Sequence, residues 1–420
     1  KSVPDAVLGA LQVARAERKA AAQRTIVTHY RTVAPELAVL RAKLEEATNA
    51  RDRLFVTLPS MPVSKSIEPR PIRVLPRGNW MDDSGELVEP GVPAFMRQIT
   101  PADGKRVSRL ELAEWLVAPD NPLTARTFVN RLWRLYFGEG LTRTLEDLGS
   151  QGDWPTHPEL LDWLAVEFRE SGWNVKRIVE LIVTSRTYRQ SSEVAAAVEE
   201  RDPLNRFLAR QSRFRLDAEL VRDNLLAVSG LLVRRLGGPS AKPYQPEGYY
   251  SALNFPKREY APDIDDNLWR RGVYTHWQRT FLLPSFVAFD APSRDECTAN
   301  RSASNTPLQA LVLLNDPSYV EAARVLAERM MREGGGAART KIAWAFARAV
   351  ARAPTAAEAK LLEGLLTKQR ARYVKDEAAA RELVSTGAAP VPQDLPVVEH
   401  AAWTSVARAI LNLHETITRN

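Results

Sequence analysis

The chain has 420 residues, more than one hydrophobic core normally spans, with 45% hydrophobic residues, 26% charged residues and a net charge of +7, a composition that folds rather than staying disordered. A single cysteine, Cys297, excludes an intramolecular disulfide, a multi-thiolate zinc site and a CxxCH haem attachment, so no cofactor is expected in this chain, with only a calcium-type oxygen cage left open. No apolar run approaches the roughly 20 residues that cross a bilayer, Lys1 opens an amphipathic stretch without signal-peptide features, and the positive charge is arginine scattered beside Asp and Glu, which reads as a solvated surface and argues against a nucleic-acid partner.

Residues 5–57 are rich in Ala, Arg, Glu and Leu, and Pro35 divides them, so an antiparallel helical hairpin is expected. An additional chain or upstream domain is expected to pack on it. From 58 to 106 prolines recur at 59, 62, 69, 71, 76, 90, 93 and 101, which predicts an extended connector with a short strand at Ile72 to Leu75. Four capping boxes then stand out: Ser108 with Glu111, Thr156 with Glu159, Thr306 with Gln309 and Thr355 with Glu358. They predict helices beginning near 109, 157, 307 and 356, and Pro122 predicts another. Leu160, Leu161, Leu164, Ala165 and Phe168 form one apolar face, and Ile178, Leu181 and Ile182 a second beyond Gly172-Trp173, so these helices should pair.

Residues 215–233 read as an amphipathic helix ended at Gly237-Gly238-Pro239, and 240–300 as aromatic loops with a strand at Gly272 to Trp277. Helices are predicted again at 307–333, 338–351, 356–376 and 397–413, with a surface linker at 377–396. The expected fold is therefore mainly α: a multi-helix domain with long irregular loops and a few short strands, plus the N-terminal hairpin. Its regions are 1–57, 58–106, a helical core at 107–320 and a C-terminal helical region at 321–420.

Several ordered motifs resemble a known family. They are Pro119-Asp120-Asn121-Pro122-Leu123-Thr124-Ala125-Arg126, Val129-Asn130-Arg131-Leu132-Trp133, Phe137-Gly138-Glu139-Gly140-Leu141 and the runs 157–164 and 184–192. Arg215-Leu216-Asp217-Ala218-Glu219, Phe289-Asp290-Ala291-Pro292, the run 305–311 and Leu314-Asn315-Asp316-Pro317 continue the pattern. Together, over roughly 70–415, they resemble the planctomycete cytochrome-associated PSD-type domain of unknown function (DUF1553 family). The resemblance implies a periplasmic or cell-envelope setting and an association with c-type cytochromes. It also implies that 1–57 is the tail of an upstream domain, and that the chain is either a fragment or a haem-free member. It carries over no catalytic residue.

Three polar constellations could carry chemistry. Asp147, Gln151, Asp153, Trp154 and His157 gather acid–base groups and an indole ahead of a helix; in the plainer reading they are turn and helix-start residues. Arg215, Asp217, Glu219, Arg222 and Asp223 share one predicted helix, where intrahelical ion pairs are the plainer reading. Tyr274, His276, Trp277, Arg279, Phe289, Asp290, Arg294, Cys297, Arg301 and Asn305 form a loop dense in groups that bind anions or sugars, or that plug a core with a buried Arg–Asp pair. A glycosidase would need two carboxylates across a bond, drawn from Asp147, Asp153, Asp217 and Asp290, with Trp154, Tyr244, Tyr249 and Tyr250 as sugar platforms. The five histidines, 29, 157, 276, 400 and 414, show no metal-binding spacing. The leading expectation is a haem-free module that binds polysaccharide or docks an envelope cytochrome, its cleft formed by the 244–305 and 147–157 loops. A carbohydrate-active enzyme and a structural subunit of a larger assembly are the alternatives.

Overall fold

The computed structural model describes residues 3–58, 61–101, 104, 106–253 and 257–419. Lys1 and Pro59, both used in the reading above, lie outside them. The chain divides into two compact units, Lys1–Pro90 and Gly91–Asn420.

The first unit holds helices α1 (Asp5–Gln12), α2 (Ala20–Val33) and α3 (Ala38–Thr57), then a two-stranded antiparallel ribbon of β1 (Ile72–Arg73) and β2 (Leu87–Val88). Pro35 ends α2 as expected, by holding Ala34 in an extended conformation. The close-packed helix pair, however, is α1 with α2, not the two stretches on either side of Pro35. Among the described residues of this unit Val7, Ala10 and Ala34 are the buried apolar ones, whereas Leu40, Leu44, Leu54 and Phe55 of α3 are each more than half exposed.

The second unit is mainly α, as predicted. Helices α4 (Arg109–Leu116), α5 (Thr124–Phe137), α6 (Pro158–Glu170) and α7 (Val175–Thr184) come first. On the latter three, Val129, Phe137, Leu161, Leu164, Phe168, Ile178 and Ile182 form one apolar cluster. The short α8 (Ala196–Arg201) leads through a loop to β3 (Phe214–Arg215) and α9 (Ala218–Ser229). The remaining helices are α10 (Pro284–Ala288), α11 (Pro307–Asn315), α12 (Pro317–Glu333), α13 (Ala338–Ala349), α14 (Ala356–Lys375), α15 (Glu377–Val384) and α16 (Val397–Leu411). They share a larger cluster built around Leu225, Phe286, Tyr319, Leu326, Phe346, Trp403 and Ile410. Each such side chain contributes about 1.5–3 kcal/mol by leaving water. Strand β4 (Thr418–Arg419) returns to pair with β3, in the register Phe214↔Arg419 and Arg215↔Thr418. The Arg419 guanidinium lies over the rings of Tyr136, Tyr188 and Phe214.

Several boundaries differ from the sequence expectation for identifiable reasons. The expected division at 320/321 falls inside α12, and the larger cluster runs across it. Helix α9 is shorter at both ends: Arg215 is taken into the ribbon with β4, and Gly230, at φ 92°, ends the helix before the glycine pair. The strand expected at Gly272 to Trp277 is a single 3-10 turn over Gly272–Tyr274, followed by one isolated parallel bridge between Ala241 and Thr275. The helix predicted over 307–333 breaks at Asp316-Pro317. Part of the 377–396 linker is α15, started by the Asp376 side chain accepting from the Ala379 N–H at 2.9 Å. Two of the four capping boxes form, at Ser108 and at Thr355. Thr156 turns instead to the Leu141 carbonyl, and Gln309 donates to the Ser304 carbonyl at 3.1 Å.

Candidate functional site

The first constellation is a surface turn. Asp147 Oδ1 accepts from the Gly149 N–H at 2.6 Å, the Asp153 N–H donates to Thr144 Oγ1, and the His157 ring meets its neighbour Thr156. Gln151, Asp153 and Trp154 are exposed, Trp154 at 80%. Asp147 borders a 650 Å³ recess together with Phe95, Met96, Leu123, Arg131 and Leu145.

The second and third constellations interlock. Asp217 stands at the N-cap position of α9 rather than within the helix, and its neighbours pair outside the helix. Glu219 receives Arg301 at 2.7 Å and Arg294 at 3.2 Å, and Asp217 lies 3.7 Å from Arg301. Arg294 stacks on the Trp277 ring at 3.8 Å. Arg215 donates to Asp290 at 2.7 Å, and Asp290 also accepts from the Ser304 N–H and hydroxyl. Asp290 and Arg294 hold left-handed backbones, φ 61° and 63°, a cost that these fastenings offset. Burial opposes ionisation of Glu219 and Asp290. For Glu219 the Arg301 hydrogen bond, and for Asp290 the bonds from Ser304 and the charge of Arg215, outweigh it and hold both carboxyls below the usual range. Both are therefore ionised and already partnered, which unfits them as general acids. Arg279 pairs with Asp295 at 3.5 Å, while Asn305 and Cys297 are exposed. Tyr274 and His276 belong elsewhere: the Arg270 guanidinium covers the Tyr274 ring, and His276 sits beside Tyr260.

Two of the α9 residues read from the sequence as intrahelical ion-pair partners, Arg222 and Asp223, turn inward instead, and with them stands Asp316, which the sequence offered only as part of a motif. Arg222 is fully buried, its two terminal nitrogens donating to the carbonyls of Arg270 and Leu268. Asp223 accepts from the Gly272 N–H at 2.6 Å. Asp316, just before α12, accepts from the Ser318 N–H at 2.9 Å, and burial pushes its carboxyl above the usual range.

Asp316 lines a second recess, of 370 Å³, with Tyr244, Gln245, Pro246, Pro284, Ser285 and Asn315. Tyr244 is fixed there by Glu321 at 3.3 Å and by the Ala388 N–H at 2.7 Å. Tyr249 and Tyr250, the other two expected platforms, pack against Phe281 and do not line the recess, with Tyr250 buried. This recess shares no lining residue with the Asp147 recess, and the 244–305 loops meet the wall of the latter where the Asn300 N–H donates to Glu146 at 3.0 Å. The Tyr244 recess has the character of a small-ligand site: apolar walls, a few convergent amide and hydroxyl groups, and one carboxyl displaced in pKa.

A model of the PSD1 family, described as a protein of unknown function (DUF1553), matches residues 108–366. The chain belongs to this family. In this PSD1 member the match takes in both interlocked constellations and the Asp316 recess. No curated protein and no solved structure matches the chain. Among the described residues, no helix is long and apolar enough to cross a membrane.

Proposed function

We propose that this PSD1 protein is a haem-free carbohydrate-binding module of the bacterial cell envelope that holds a sugar unit of a polysaccharide in the Tyr244 recess. The observation that carries this reading is the convergence of Gln245, Ser285, Asn315 and Asp316 on a 370 Å³ space walled by Tyr244, Pro246 and Pro284. Amides, hydroxyls and a carboxyl meet sugar hydroxyls, and ring faces meet the C–H faces of the sugar. The envelope setting and the neighbouring c-type cytochrome rest on the motif resemblance alone. Binding rather than hydrolysis is favoured because Asp147, Asp153, Asp217 and Asp290 are all absent from the recess, where Asp316 is the sole carboxyl.

The test is equilibrium binding and thermal stabilisation of the whole chain across neutral, uronic and sulfated polysaccharides, with reducing-end release assayed on the same samples. Binding without release, weakened by Ser285→Ala or Gln245→Leu, is expected. Release abolished by Asp316→Asn would convert the reading to an enzyme, and no response to any glycan would overturn it. The structural-subunit reading is favoured by one observation, the exposed Leu40, Leu44, Leu54 and Phe55 of α3.

A further inference from the structure

Helix α3 runs without glycine or proline from Ala38 to Thr57, a rod about 30 Å long, and it carries a regular stripe. Leu37, Leu40, Leu44, Ala47, Arg51, Leu54 and Leu58 follow one another at alternating steps of three and four residues, the spacing that keeps one seam of a helix turned to a partner helix. The rest of its unit leaves that seam open. Helix α1 packs on α2, whereas α3 has no comparable α-helical partner among the described residues, and Leu40, Leu44, Leu54 and Leu58 are each more than half exposed. Arg51, the one charge in the seam, pairs with its neighbour Asp52 at 2.7 Å. Arg53 donates to the Asn49 carbonyl, and among the described residues neither it nor Glu45 nor Glu46 is in an ion pair.

We infer that α3 is the interface of a homodimer, in which it packs antiparallel on α3 of a second copy about a two-fold axis passing beside Asn49. In that register Leu40 meets Leu58 of the second copy and Leu44 meets Leu54. The long Arg51 lies opposite the small Ala47, so that each layer of the seam is filled. On one flank Arg51 comes within reach of Glu45 of the second copy, and on the other Arg53 comes level with Glu46, which gives Glu45, Glu46 and Arg53 partners of opposite sign. A parallel pair would instead set Arg51 against Arg51 across the seam. The two-fold contact is self-complementary and closes on itself, so association stops at two copies. Eight leucines, with Phe55 beside them, cover about 1,000 Å² in total, the lower edge of specific interfaces, which suits a dimer that forms at micromolar concentration. The dimer is independent of saccharide binding, because α3 contributes nothing to the Tyr244 recess.

The experiment is sedimentation equilibrium of the whole chain across micromolar concentrations, where a monomer–dimer equilibrium is expected. Leu44→Glu sets a carboxylate against Leu54 of the second copy and should weaken the dimer at least about tenfold. Arg51→Leu removes the charge from the seam and should tighten it by about the same factor, a gain that a misfolded variant cannot give. Disulfide trapping reads the direction, in a Cys297→Ser background because Cys297 is exposed. Leu44→Cys mixed with Leu54→Cys should cross-link, and Leu44→Cys alone should not. A chain that stays monomeric overturns the pairing of copies and leaves the seam to a helix of another protein. A dimer that Leu44→Glu and Arg51→Leu leave unchanged overturns α3 as its interface, and cross-linking of Leu44→Cys with itself overturns the antiparallel arrangement.

Discussion

Arg301 Nη1 meets Glu219 Oε2 at 2.7 Å, and this contact fastens the 290–305 loop to the first turn of α9. Glu219 is 13% exposed and Arg301 27%, so the pair is only partly screened by water. Glu219→Gln is expected to destabilise the protein by about 1–3 kcal/mol, the cost of leaving two guanidinium groups short of their acceptor. A double-mutant cycle with Arg301→Ala checks it; additive effects would show that the contact couples nothing.

His400 gives a pH dependence with a defined sign. It is 1% exposed on α16, with Nε2 3.3 Å from the Arg324 carbonyl, and burial lowers its pKa from 6.5 to about 4. The folded value lies below the unfolded one. Stability from the neutral ring is therefore complete above about pH 6.5 and is lost as the pH falls towards 4. The wild-type Tm should drop more steeply over that window than the Tm of His400→Gln, and parallel curves would remove His400 from the account.

The two formed capping boxes separate from the two unformed ones by a simple substitution. Thr355 accepts from the Glu358 N–H at 3.2 Å, whereas Thr306 makes no side-chain cap bond. Thr355→Ala should cost about 1 kcal/mol and Thr306→Ala only a few tenths, read from urea midpoints.

Arg222→Met replaces a buried charge of similar length but strips the Leu268 and Arg270 carbonyls of their donors. The expected loss is about 2–5 kcal/mol, with Arg222→Lys intermediate because one ammonium replaces a fork. A neutral Arg222→Met would mean that water takes up both carbonyls.

What the sequence disclosed and what it hid follow the range of the interactions. The Ser108 and Thr355 boxes, and the pairing of α6 with α7, are local and were legible in residue spacing. The Thr156 and Thr306 boxes had the same local pattern but lost to partners brought by the fold, Leu141 for one and Ser304 for the other. Helix α15 did carry a signal, Asp376 ahead of Ala380, Leu383 and Val384, which the neighbouring Gly387, Pro390, Pro392 and Pro396 obscured. Charges that read as intrahelical pairs on α9 found partners 75 and 82 residues away. Asp316 stood in a recognised motif, yet its burial and its place beside Tyr244 depend on packing that no short segment encodes.

The family match stops at residue 366, within α14, but α16 begins at Val397 and packs against α12, α14 and α15. Trp403, Val406 and Ile410 fill the space beside Leu326 and Met330, and Thr418 and Arg419 close the ribbon on β3. A clone trimmed to the matched segment would lose eleven of the thirty buried residues of its larger cluster and open to water what they cover. The stretch of chain that heredity marks as a unit is therefore shorter than the stretch that holds its own shape, and an expression design drawn from the former would aggregate where one reaching the end of β4 would not.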